Sequence, residues 1–291
     1  MIDFIKAYTI DKRIAAKLRN TICSQVEVNH TTGEISIGEY YGKCSQFKIK
    51  VYPSDRIQFS GSLHKYYNNG FNNSDFTKSQ VNQTIFSFCE LIGLKPEKVF
   101  LENLEFGVNI NLPYQPSVLL SNIVSLSSGK VFSEMAGEGL NCKRGEYRHK
   151  IYNKSSQYKT NDCLLRYEIH VDKMRWIYPV KTLQDLMNIE TWDFLQDKLV
   201  MLFQQIVFTD FYNLNSFKKW ENKYLDKHRE LINNSRYWKQ INTLERHRAL
   251  KWLRKIQLKG QYKFSETISK QIYDKVSELK NLQEFHSSNT G

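Results

Sequence analysis

From Leu165 to Asp172 the chain alternates without a break between apolar and polar side chains: Leu165, Tyr167, Ile169 and Val171 against Arg166, Glu168, His170 and Asp172. A period of two belongs to a strand with one face in a core and the other toward water. Asn103 to Leu112 repeats it, with Leu104, Phe106, Val108, Ile110 and Leu112 on one side and Asn103, Glu105, Gly107, Asn109 and Asn111 on the other. Arg148 to Lys154 sets Lys150, Tyr152 and Lys154 in a row. If these polar faces share one sheet, a tyrosine, two lysines and two carboxylates converge.

The rest of the pattern predicts an α+β fold, a largely antiparallel sheet with flanking helices, followed by a basic all-helical C-terminal region. Ile2 to Thr9 reads as a strand and Asp11 to Ile22 as a helix, with Ile14, Ala15, Leu18 and Ile22 at helical spacing. Strands are expected at Gln25 to Val28, Ile35 to Gly38, Ser45 to Val51 and Arg56 to Leu63, with a hairpin turn at Gly33. His64 ends the last of these, whose polar face carries Gln58, Ser60 and Ser62, and is a candidate DNA or metal contact. Ser74 or Asp75 is expected to cap a helix running to Gly93. Pro113 and Pro116 close the Glu105 strand and open a helix from Ser117 to about Ser127. Gly129 to Gly145 reads as a poorly patterned loop, and the polar linker Ser155 to Asp162 favours antiparallel pairing of the strands on either side. Beyond Pro179, Thr182 and Thr191 are candidate helix caps.

Charge divides the chain unevenly. Of a net +12, the residues from Ser216 to Gly291 hold 17 Lys and Arg against 8 Asp and Glu, while the preceding 215 hold 25 against 22. Basic helices are expected around Phe217 to Ile232, Ser235 to Gln257 and Ser265 to Phe285, with Trp220, Trp238 and Trp252 among them. Such a region suits a polyanion, with Lys239, Arg246, Arg248, Lys251, Arg254 and Lys255 as DNA-contact candidates in a helical unit. The division expected is residues 1–210 for the α+β part and 211–291 for the helices. Five cysteines without a Cys-x-x-Cys pair argue against a disulfide framework or a structural zinc, which suits a reducing cytoplasm. No apolar run approaches the roughly 18 residues that a membrane span needs, so no membrane partner is expected.

A phenol has an ordinary pKa of about 10, so a tyrosine nucleophile needs nearby positive charge or a base before it attacks phosphorus. Lys150 and Lys154, two residues either side of Tyr152, are candidates to stabilise its phenolate or to hold a phosphate. Glu105 and Glu168, with the Asn109 amide oxygen, are candidate ligands for Mg²⁺ or Mn²⁺, which takes oxygen donors and neutralises phosphoryl charge. Arg166 lies two residues from Glu168, and Tyr158 is the alternative nucleophile. Each has a plainer reading, as a packing tyrosine, a solvated carboxylate or a surface ion pair.

The segment Ile151-Tyr152-Asn153-Lys154, followed by Leu165-Arg166-Tyr167-Glu168-Ile169 and preceded by Leu104-Glu105-Phe106-Gly107-Val108-Asn109, resembles the trans-acting plasmid and phage replication initiators. These are rolling-circle enzymes without the paired-histidine motif, together with related relaxases of conjugative elements. Where that family commonly has two aspartates four apart, this chain has Glu105 and Asn109. The resemblance covers about Ile57 to Asp172. It implies a nickase that binds origin DNA, forms a 5′-phosphotyrosyl link with metal assistance and frees a 3′-hydroxyl for a host polymerase, with a host helicase and a homodimer as further partners. The competing reading is a DNA-binding regulator that keeps the initiator fold without catalysis. A third is a structural protein whose basic helices meet an acidic partner.

Overall fold

The computed structural model describes residues 1–22, 31–33, 38–135, 138–209, 241–257 and 263–282, with backbone alone at 254–257. Its centre is a nine-stranded sheet. The strands are β1 (Ile2–Ile10), β2 (Tyr40–Cys44), β3 (Phe47–Val51), β4 (Arg56–Ser62), β5 (Phe100–Asn111), β7 (Ser133–Met135), β8 (Gly139–Arg144), β9 (Tyr147–Asn153) and β10 (Leu164–Val171). They lie in the order β2-β3-β4-β1-β5-β10-β9-β8-β7, and every pairing is antiparallel. A two-stranded sheet of β6 (Ile123–Leu126) and β11 (Ile206–Phe208) stands beside it.

Alternation gives the large sheet two unlike faces. Ile5, Ala7, Phe47, Ile49, Phe59, Leu104, Phe106, Val108, Tyr167 and Ile169 are buried on one face, in the same core as the helices. Those helices are α1 (Lys12–Thr21), α3 (Lys78–Ile92), α6 (Ile189–Phe203) and α8 (Phe264–Asn281). Phe88 of α3 lies 4.4 Å from Phe47 between ring centroids, and Phe203 of α6 meets Tyr167 edge-on at 5.0 Å. The opposite face carries polar and aromatic side chains, half-exposed at Lys6, Tyr8, Lys50, Gln58 and Tyr152 but buried at Asn109, Arg166 and Glu168.

Local chemistry sets the helix ends. Asp11 caps α1 by accepting from the Ile14 amide. Thr77, rather than the expected Ser74 or Asp75, caps α3, because Gln80 three residues on reaches back to the Thr77 amide and completes a capping box. Gly93 then ends α3 in the left-handed conformation, φ 87°.

Other boundaries also differ from expectation. The helix expected over Ser117 to Ser127 stops as α4 (Pro116–Ser121), and the chain turns at Asn122 into β6, where β-branched Ile123 and Val124 favour a strand. The loop expected over Gly129 to Gly145 contains β7 and β8. His64 does not end a strand. It lies in α2 (Leu63–Tyr67), buried, and its ring stacks on Phe76 at 4.6 Å. Lys154 opens α5 (Lys154–Tyr158), with Asn153 as its cap. Thr191 lies inside α6, whose cap position is Asn188.

The strands expected at Gln25 to Val28 and Ile35 to Gly38, and the helix at Phe217 to Ile232, lie outside the described residues, apart from Gly38 itself. So do Lys239 and the side chains of Arg254 and Lys255. Of the basic helices, α7 (Thr243–Gln257) packs Leu250 and Leu253 against Val124 and Val207. The last helix, α8, belongs to the main core through Phe264, Ile268, Ile272, Val276 and Leu279. Gln196 of α6 ties it down by donating to the Tyr273 carbonyl at 2.8 Å and to the Ser277 hydroxyl at 2.7 Å. Among the described residues no helix is long and apolar enough to cross a membrane.

Candidate functional site

Register brings the three singled-out strands side by side. Across β5, β10 and β9, Asn109 faces Arg166 and Arg166 faces Tyr152; Gly107 faces Glu168 and Glu168 faces Lys150; Glu105 faces His170 and His170 faces Arg148. The middle row closes only because residue 107 has no side chain. A Cβ there would lie 2.2 Å from the Tyr167 carbonyl oxygen and 2.5 Å from Glu168 Cα. Gly139 of β8 does the same for Tyr152, whose Cβ a side chain at 139 would approach to 2.6 Å.

Arg166 is the hub. The residue is 4% exposed, and its guanidinium donates to Glu168 Oε2 at 2.9 Å, to Asn109 Oδ1 at 3.3 Å and to Asp3 Oδ2 at 3.4 Å. Burial works against its charge, and Glu168 and Asp3 more than offset that, so the guanidinium is held protonated. Asp3 is likewise kept below the usual carboxylate range against the cost of burial, first by Arg166 and then by the Ser62 hydroxyl and Asn72. Asp3 reaches this network through an irregularity in β1, where Asp3 and Phe4 together stand opposite the single residue Glu105.

The Lys150 ammonium lies between the two glutamates. It pairs with Glu105 Oε1 and sits 3.4 Å from Glu168 Oε1. Although burial alone would lower the Lys150 pKa, the two carboxylates raise it. Glu105 also accepts from His170 Nδ1 at 2.9 Å, and its carboxyl is held low by His170 and Lys150 against burial. Two carboxylates closing on one cation form an oxygen-donor pair of the kind that suits Mg²⁺ or Mn²⁺. Asn109 does not fit as the third ligand. Its amide oxygen accepts from Arg166, and its amide nitrogen points to the carbonyls of Asn73 and Ser74, each at 3.4 Å. Among the described residues no group of three His, Cys, Asp or Glu side chains is arranged to hold a metal.

The Tyr152 hydroxyl lies 3.5 Å from Glu168 Oε2. Burial first, and the Glu168 charge second, raise its pKa above the ordinary phenol value, so the phenol is protonated here. The expected lysine support is only partly in place, because Lys150 is engaged by the glutamates. Lys154 is buried, with its amine 5.6 Å from the centre of the Tyr152 ring and 5.1 Å from that of Tyr158. Burial, and next Arg166, bring that amine down to about 8. It donates to Asn72 Oδ1 at 2.9 Å, and the Tyr158 hydroxyl donates to the same oxygen at 2.5 Å. Asn72 donates in turn to Asp3 at 2.9 Å, so Tyr158 belongs to the same network from its far side.

Asp3 and Asn72 complete the site without having been singled out in the sequence, together with Ser62 and His170, which were placed on polar strand faces but given no role. Asp3 had the clearest signal, a carboxylate within a predicted strand. Of the DNA-contact candidates, Arg248 and Lys251 are exposed on α7, while Arg246 points its guanidinium at the carbonyls of Gly129 and Ile241, each at 3.4 Å.

No protein-family model matches the chain, and no curated protein sequence matches it. Among solved structures it is similar to a rolling circle replication initiator protein from Geobacillus stearothermophilus, at 11% identity and a TM-score of 0.36, over 71% of this chain and 84% of that one.

Two histidines give the fold a pH response. Burial lowers both His64 and His149 from 6.5 to about 3. The unfolded chain therefore takes up these protons first as pH falls, and their stability contribution, full above about pH 6.5, is lost progressively toward pH 3. Urea denaturation of His149→Phe between pH 7 and pH 4 is expected to show a shallower loss of stability than the parent chain. An unchanged slope would mean that His149 is not held neutral.

Proposed function

We propose that this chain is a DNA-nicking replication initiator in which Tyr152 is the nucleophile. The phenol oxygen attacks a scissile phosphodiester, a 5′-phosphotyrosyl bond forms as the bond from phosphorus to the 3′-oxygen breaks, and the phenol proton ends on the freed 3′-hydroxyl. One ester replaces another, so the strand can be rejoined by the reverse reaction. The observation that carries this reading is the Tyr152 hydroxyl, on the polar face of the sheet, 3.5 Å from the buried Glu168 carboxylate that two cations, Lys150 and Arg166, hold in place. Glu168 is the acceptor nearest the phenol proton. Arg166 is buried too deeply to meet DNA and acts as a positioning residue for Glu168 and Asn109. Asn72 holds the Lys154 amine and the Tyr158 hydroxyl, and that amine lies near the rings of both tyrosines.

A divalent ion, if bound, supplies positive charge to the phosphoryl group, and Glu105 and Glu168 are the residues that would hold it, in the place of the Lys150 ammonium. The cytoplasm, origin DNA as substrate, a host helicase and polymerase downstream, a second copy as partner, and DNA contacts from Arg248 and Lys251 belong to the same proposal. The regulator reading draws its support from Asn109, an amide tied to Arg166 where a third carboxylate would stand.

Incubation with supercoiled or single-stranded origin DNA and Mn²⁺ separates the two. Loss of the covalent adduct in Tyr152→Phe with retention in Tyr158→Phe is the expected result; the reverse pattern moves the nucleophile to Tyr158, and no adduct under any metal condition leaves the regulator. Metal binding has its own readout in the paramagnetic resonance signal of free Mn²⁺. Lys150→Ala is expected to take up more Mn²⁺ than the parent chain and Glu168→Gln less, whereas equal uptake by all three removes the ion from the proposal.

A further inference from the structure

The half of the sheet away from Tyr152 has an open face of its own. One cross-strand row runs Tyr41, Lys50, Gln58, Tyr8 and Phe100 from β2 to β5, and the next runs Lys43, Lys48, Ser60, Lys6 and Asn103. Rings and cations interleave. The Lys50 ammonium stands 4.9 Å from the centre of the Tyr41 ring, the Arg56 guanidinium lies 4.0 Å from that of Tyr8, and Tyr8 and Phe100 are 5.7 Å apart. Phe100 is 42% exposed, a large apolar ring in water.

Charge on this face is left unbalanced. Glu39 is paired with Lys50, and Glu102 with Arg56 and Lys6. Lys43 and Lys48, both exposed, stand directly opposite each other and have no ion pair among the described residues. Like charges in a directly opposed cross-strand pair destabilise a sheet, so this arrangement favours an anion laid between them.

We infer that this face is a track for single-stranded DNA, with bases stacked on Phe100 and on the Arg56–Tyr8 pair and phosphates held by Lys43 and Lys48. A single strand, unlike a duplex, offers base faces to rings while its backbone follows a cationic groove. From β2 to β10 there are five strand spacings, about 24 Å, room for a site of roughly four nucleotides or more. The surface is continuous with the nicking site. Phe4, beside Lys6 on β1, stacks on His170 at 6.4 Å, and His170 bonds Glu105. That the strand leads toward Tyr152 rests on the nicking proposal; the binding itself does not.

The test is fluorescence anisotropy of end-labelled dT12 with the full chain. Phe100→Ala is expected to weaken binding about tenfold, in line with the loss of one stacked base. Lys48→Glu is expected to weaken it at least fivefold and to lower the salt dependence by about 0.7 for each phosphate the protein ceases to neutralise. The same substitution turns a like-charge pair into an opposite one, so the free protein should melt no lower than the parent, which excludes misfolding as the cause. Tyr152→Phe should bind dT12 as the parent does, separating this track from the nicking chemistry. Unchanged dT12 affinity in both Phe100→Ala and Lys48→Glu overturns the inference, and so does a 12-base-pair duplex that binds as tightly and is weakened equally by both.

Discussion

The buried guanidinium of Arg166 organises this molecule. A cation taken out of water is tolerable only when acceptors surround it, and Arg166 has Glu168 on its own strand, Asn109 on β5 and Asp3 on β1. One side chain therefore ties together three neighbouring strands on the polar face, where no apolar packing would do so. Glu168 is fixed from both sides, by Arg166 and by Lys150, and the position of Glu168 sets the surroundings of the Tyr152 hydroxyl.

This division of labour follows from a sheet with helices on one face. The apolar face, covered by α1, α3, α6 and α8, supplies the core. The polar face is then free to hold groups that a core could not accept: a lysine between two glutamates near Tyr152, and two lysines facing each other on β2 and β3 with no ion pair among the described residues. The first arrangement is charge-matched within the protein. The second becomes matched when an anion lies across it.

Much of this was legible in the sequence where a pattern spans many residues. The alternation in Leu165 to Asp172 and Asn103 to Leu112 marked both strands and their core faces, and antiparallel pairing set Tyr152, Arg166 and Asn109 in one row, but the face expected toward water is buried at Arg166, Glu168 and Asn109. What was not legible depends on local irregularity or on distant neighbours. The β1 irregularity that turns Asp3 toward Arg166 leaves no mark in the letters, and Asn72 meets Lys154 across 82 residues of chain. Lys154 continued the alternation of β9 but falls one residue past its end, where Asn153 caps a helix. Thr77 could have been chosen over Ser74 from Gln80 three residues on. The strand β8 was hidden because its small and charged residues, Gly139, Asn141, Lys143 and Arg144, show no strand preference and are set by pairing with β9.

The measurement that bears most directly on this account is a double-mutant cycle in urea between Arg166→Met and Glu168→Gln. Each single substitution removes one partner of a buried charge, leaving Glu168 with Lys150 alone or Arg166 with Asp3 alone, and should cost about 3 kcal/mol, and the double variant should fall short of their sum by more than about 1 kcal/mol. Additivity within about 0.5 kcal/mol would mean that the two side chains do not depend on each other, and that the polar face is not organised around Arg166.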